Sequence, residues 1–129
     1  MPTRPFVSAI ACASLLAAAC APDAYAPSPQ FNAFLTKLQQ ACAGQTIGPR
    51  ARVDNLIQNS QSNAGAYFIN QTSRLYAGTT TPQDYATGVS AFLNGWPSDP
   101  GVQCVLREYN QQRQLSTPPP PSSAPPAQR

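Results

Sequence analysis

SPQFNAFLTKLQQACAG, residues 28–44, reads as one complete helix with its start and stop signals in place. Ser28 is a residue type whose side chain accepts from the orphan N–H groups of a first turn, and Pro29 fits the first helical position, where no N–H is needed. Phe31, Phe34, Leu35, Leu38 and Cys42 then recur at three- and four-residue spacing, which lines one face of a helix. Gly44 supplies the stop.

The same grammar returns twice. Thr81-Pro82-Gln83-Asp84 opens a helix that carries Tyr85, Val89, Phe92 and Leu93 on one face, with Gly95 as its stop. Asp99-Pro100 opens another that carries Val102, Val105, Leu106 and Tyr109. Between Arg52 and Gly78, Val53, Leu56 and Ile57 fit a short helix, while Tyr67, Phe68, Thr72, Leu75 and Tyr76 fit a second; the polar run QNSQSNAG, 58–65, separates them. Alternation of β-branched and aromatic residues is almost absent. The expectation is an all-α domain: a small bundle of four or five short helices.

The flanks differ in kind from this middle. Residues 1–19 carry Arg4 ahead of the apolar stretch from Phe6 to Ala19, which is short for a membrane span and suits a signal peptide. Residues 20–30 hold Pro22, Pro27 and Pro29 and are expected to run as an extended, disordered tether. At the other end, STPPPPSSAPPAQR, residues 116–129, has no large apolar side chain to bury and reads as a disordered proline-rich tail, or as a docking strand for an aromatic-lined groove. The folded domain is therefore expected over 31–115, small enough to gain from a covalent staple.

Cysteine arithmetic supplies that staple. Of the four cysteines, Cys12 lies inside the leader, which leaves Cys20, Cys42 and Cys104, an odd number for an exported chain. Acylation of Cys20 resolves the imbalance and frees Cys42 and Cys104 to pair, closing about 62 residues at a gain of ~4 kcal/mol in the chain-entropy model.

Leu15-Leu16-Ala17-Ala18-Ala19-Cys20 resembles the lipobox of bacterial lipoproteins. That resemblance implies a lipid anchor (palmitate-type acyl chains) on Cys20, and Ala21 after it implies onward export to the outer membrane, facing the periplasm. The competing cut follows Ala24-Tyr25-Ala26, but Pro27 comes next and suits a peptidase cleft poorly. Use of that site would leave a soluble periplasmic or secreted protein.

Several function classes are disfavoured by composition. The chain has no histidine, which removes Ser–His and Cys–His nucleophile pairs and histidine metal sites. No catalytic residue, metal ligand set or cofactor motif is identified. Asp84 and Asp99 stand where helix caps are needed, and nothing asks for Asp54 and Glu108 to act as an acid pair. The net charge is only +3, with Lys37, Arg50, Arg52, Arg74, Arg107, Arg113 and Arg129 spread along the chain rather than gathered, which argues against a nucleic-acid partner.

Binding remains. Trp96, in the turn NGWPSDPG of residues 94–101, either closes the core between two helices or stands out as an anchor. Arg50 and Arg52 form a small basic cluster that either faces a partner or is simply a solvated loop. The tyrosines sit at core spacing with their hydroxyls expected to reach water. The resulting expectation is a non-enzymatic envelope lipoprotein that binds or scaffolds another envelope protein. The alternatives are a periplasmic inhibitor or immunity protein against a toxin or lytic enzyme, and a cell-wall module that uses Trp96 and the Asn/Gln-rich face on glycan.

Overall fold

The computed structural model describes residues 28–119. Residues 1–27 and 120–129 fall outside the described part, and with them the expected signal peptide, Cys20, most of the tether and most of the tail. Five helices make up most of what is described: α1 (Pro29–Ala41), α2 (Val53–Gln58), α3 (Asn63–Tyr76), α4 (Pro82–Phe92) and α5 (Pro100–Ser116). A small antiparallel ladder, β1 (Thr46–Ile47) with β2 (Ala51–Arg52), lies between α1 and α2, pairing Thr46 with Arg52 and Ile47 with Ala51. Among the described residues, no helix is long and apolar enough to cross a membrane.

The helix starts follow the capping grammar. Ser28 Oγ accepts from Phe31 N at 3.1 Å and Thr81 Oγ1 from Asp84 N at 3.1 Å, each with proline next in the chain. A third cap, Ser62, accepts from Gly65 N at 3.0 Å. It starts α3 inside the polar run expected to be a separator, so Asn63, Ala64 and Gly65 are helical. Gly65 is there for space rather than for breaking: a Cβ on it would collide with the carbonyl oxygens of Leu56 and Asn59, where the end of α2 seats on the start of α3. The stop of α4 also differs from expectation, since Asn94 and not Gly95 takes the left-handed conformation, at φ 56°.

The core gathers the helical faces. Phe31, Phe34, Leu35 and Leu38 from α1 pack with Leu56, Phe68, Leu75, Tyr85, Val89, Val102, Val105 and Tyr109, and Ile47 of β1 is fully buried beside them. Each such side chain contributes about 1.5–3 kcal/mol on burial. Gly101 brings α5 against β1: a Cβ there would run into Ile47 and the backbone of Thr46. A ladder this short is held by that contact and not by strand propensity, which is why periodicity misses it.

Cys42, at the end of α1, and Cys104, inside α5, form a disulfide with Cα atoms 5.8 Å apart; both residues are buried. The bond joins the first and last helices. Polar groups in the interior find partners too. Thr72 and Tyr85 hydroxyls lie 3.0 Å apart, and Lys37 Nζ meets the carboxylate of the buried Glu108 at 3.2 Å. Tyr85 thus departs from the expected pattern, because its hydroxyl ends on Thr72 and not in water.

Candidate functional site

The turn of the β1–β2 hairpin and the loop between α4 and α5 meet through one carboxylate. Asp99 Oδ2 accepts from Gly48 N at 2.7 Å and from Trp96 N at 3.0 Å. Asp99 does occupy the N-cap position of α5, yet its side chain makes no hydrogen bond to that helix; the sequence expectation of a simple cap is corrected by the two neighbouring loops it joins. These N–H donors, Gly48 first and Trp96 second, hold the carboxyl below its ordinary pKa of 3.8. Gly48 and Gly95 make the approach possible: Gly48 has φ 65°, with the Leu93 carbonyl in the place of a Cβ, and a Cβ on Gly95 would strike Asp99 and Gly48.

A second carboxylate braces the same hairpin from the other side. Asp54, buried at the start of α2, accepts from Gly44 N at 3.0 Å and from Arg52 at 2.8 Å, and both, the backbone bond foremost, depress its pKa. Arg52 is consequently committed to an ion pair. Arg50 is exposed and has no ion-pair partner among the described residues.

Between these braced loops and the helix ends lies a groove of about 550 Å³. Pro49, Arg50 and Arg52 come from the hairpin, Asn55, Leu56 and Asn59 from α2, Ser62 and Ala64 from the start of α3, and Phe92, Leu93 and Asn94 from the end of α4. Its size is in the range of ligand pockets, and it mixes an apolar wall with carboxamides and two guanidiniums.

Two aromatic side chains are exposed in this region. Phe92 is 46% exposed and stacks on Tyr67 with ring centroids 3.9 Å apart. The expectation that Phe92 belongs to the core face of α4 fails because the buried arc of that helix runs through Tyr85, Ala86, Val89, Ser90 and Leu93, leaving Phe92 at its edge. Trp96 is 74% exposed, so it does not close the core. It lies two residues beyond Asn94, outside the groove lining, on backbone pinned by Asp99.

The structure therefore brings Arg50 and Arg52 to one groove, with Trp96 in the loop that borders it. The sequence reading missed Phe92, Ser62 and the tie through Asp99, whereas Asn55 and Asn59 belong to the Asn/Gln-rich stretch of residues 55–71 that it offered as a glycan face. Exposed Phe92 was detectable in principle, since it falls off the four-residue row of Tyr85, Val89 and Leu93. The tie was not, because it spans 51 positions. Asp54 and Glu108 are each engaged, with Gly44 and Arg52 and with Lys37 respectively. Among the described residues no group of three or more cysteine or acidic side chains is arranged to hold a metal ion.

No protein-family model, curated protein or solved structure matches the chain.

Proposed function

We propose that this chain is a non-enzymatic binding module of the bacterial cell envelope, anchored through acylated Cys20, whose small helical bundle presents the groove and the Trp96 loop to another envelope protein. The carrying observation is the coincidence of exposed Phe92, exposed Trp96 and an Arg50 with no ion-pair partner among the described residues, around one groove on a braced backbone. Aromatic residues and arginine are the residue types that carry most binding energy at interfaces, and a fixed backbone lowers the entropy cost of docking them. A buried disulfide accords with an oxidising compartment such as the periplasm.

A non-enzymatic role is supported by how three of the four described acids are engaged: Asp54 and Asp99 accept from backbone N–H groups, which hold them below the ordinary carboxylate range, and Glu108 is tied to Lys37, while Asp84 stands in the first turn of α4.

Photocross-linking tests the reading. A benzoylphenylalanine at position 96 or 92 should capture a discrete envelope protein in intact cells, and the same group at Gln83, on the exposed start of α4, should not. Equal capture from all three positions, or none, would remove the assigned face.

A second reading draws on Asn55, Asn59 and Asn94, whose carboxamides line the same groove and are suited to sugar hydroxyls. It assigns the groove to cell-wall glycan. Sedimentation with purified peptidoglycan that is lost in Asn55→Ala and Phe92→Ala would favour it over the protein partner.

A further inference from the structure

Resting on the binding role just proposed, we infer that the groove takes an extended segment of a partner protein in which an acidic side chain stands beside an apolar one. The acid pairs with Arg50, and the apolar side chain lies on the wall built by Phe92, Leu56 and Leu93.

Charge complementarity carries this assignment. Of the two arginines at the hairpin, Arg52 is already neutralised by Asp54 at 2.8 Å, while Arg50 faces the groove with no ion-pair partner among the described residues. The other nearby carboxylate, Asp99, has its oxygen aimed at the Gly48 and Trp96 N–H groups. A guanidinium left open beside an apolar wall is completed by a carboxylate, and the pairing gains strength where the apolar neighbour excludes water. Arginine's fixed fork of donors makes that contact directional as well.

The lining suits a peptide. Phe92, Leu56 and Leu93 line an open groove of about 550 Å³ together with carboxamides, which leaves room for protruding side chains of mixed chemistry. The floor is also preformed. Gly48, Gly95 and Asp99 interlock the two loops, and Gly65 lets α2 and α3 meet at backbone distance, so little ordering remains to be done on binding.

Random short peptides displayed on phage and selected against the immobilised full-length protein provide the probe. Recovered sequences should be enriched in Asp or Glu adjacent to Phe, Trp, Leu or Ile. Synthetic copies should bind about tenfold or more weakly to Arg50→Glu and to Phe92→Ala, recover only in part in Arg50→Lys, which keeps the charge without the fork, and be unaffected by Arg113→Glu, which alters a different groove. Circular dichroism and melting of each variant separate lost binding from lost folding.

Failure to recover peptides, enrichment without acidic residues, or binding indifferent to Arg50 and Phe92 would overturn the inference. So would retention on phosphatidylethanolamine–phosphatidylglycerol vesicles that disappears in Arg50→Glu, which would assign the face to lipid headgroups. A protein captured by cross-linking at positions 92 and 96, with no acidic-apolar peptide recovered, would leave the binding role standing and remove only this account of its ligand.

Discussion

Gly48 donates its backbone N–H to Asp99 across 51 positions of chain, and the same carboxylate oxygen accepts from Trp96. One atom thereby fixes the hairpin turn next to Arg50 and the loop that exposes Trp96.

Asp99→Ala removes the one oxygen that accepts both bonds and should lower Tm more than Asp99→Asn, whose amide oxygen can still receive the two N–H groups without the charge. The wild-type protein should also lose stability in acid. The folded-state pKa of Asp99 lies below its ordinary 3.8, so its stabilisation is complete above that value and is lost as pH falls through the depressed one. Asp54 follows the same sign, with Gly44 N as the main cause. Thermal melts between neutral pH and about pH 2 should show a decline that is shallower in Asp99→Asn; an equal slope would deny Asp99 this role.

Gly95→Ala should destabilise by about 1–3 kcal/mol, because a Cβ would meet the Gly48 backbone and the Asp99 carboxylate, and moving that carboxylate would break its bonds to Gly48 and Trp96. Gly88→Ala is the matched control, since its Cβ would meet only the Tyr67 hydroxyl, at 3.4 Å, and would raise helix propensity within α4. Urea denaturation of the two variants measures the difference.

Local chemistry was legible where it acts locally. The Ser28-Pro29 and Thr81-Pro82 starts could be read because a cap bonds three residues ahead, and the Cys42–Cys104 pair is expected from an odd thiol count with Cys20 set aside for acylation. What escaped the sequence is set by distant chain. Ile47 becomes part of a ladder because Gly101 admits α5 against it, Gly65 looks like a breaker until α2 is seen pressing on it, and Trp96 stands in solvent because its loop is pinned to Gly48. Within the groove, Arg50 and Arg52 stood out as neighbouring charges, but only their three-dimensional partners show that Arg52 is spent on Asp54 and Arg50 is not.

The buried hydroxyl pair should behave asymmetrically. Thr72 Oγ1 donates to the Phe68 carbonyl at 2.7 Å, so the proton between Thr72 and Tyr85 belongs to Tyr85; burial also pushes the Tyr85 phenol pKa upward, which keeps that proton in place. Thr72→Val strands a buried donor and should cost about 1–3 kcal/mol. Tyr85→Phe leaves Thr72 bonded to Phe68 and should cost less. The double variant should recover part of the Thr72→Val loss, and a double-mutant cycle in urea would show the coupling; strict additivity would contradict it.

The disulfide is expected to be the largest single contribution. Cys42 and Cys104 close a loop of 62 positions, for which the chain-entropy model gives about 4 kcal/mol, set against a total of roughly 5–15 kcal/mol for a domain. Both half-cystines are buried, so reductant should reach them only when the chain opens, and the native protein should resist mild reduction that readily reduces the urea-unfolded form. Cys42→Ala/Cys104→Ala removes the cross-link while keeping apolar contact, and most of the loss should already appear in either single alanine variant, since one substitution abolishes the bond. If the double variant unfolded within about 1 kcal/mol of the wild type, packing of α1 on α5 through residues such as Leu38 and Val105 would be the dominant tie, and the cross-link would matter little to the fold.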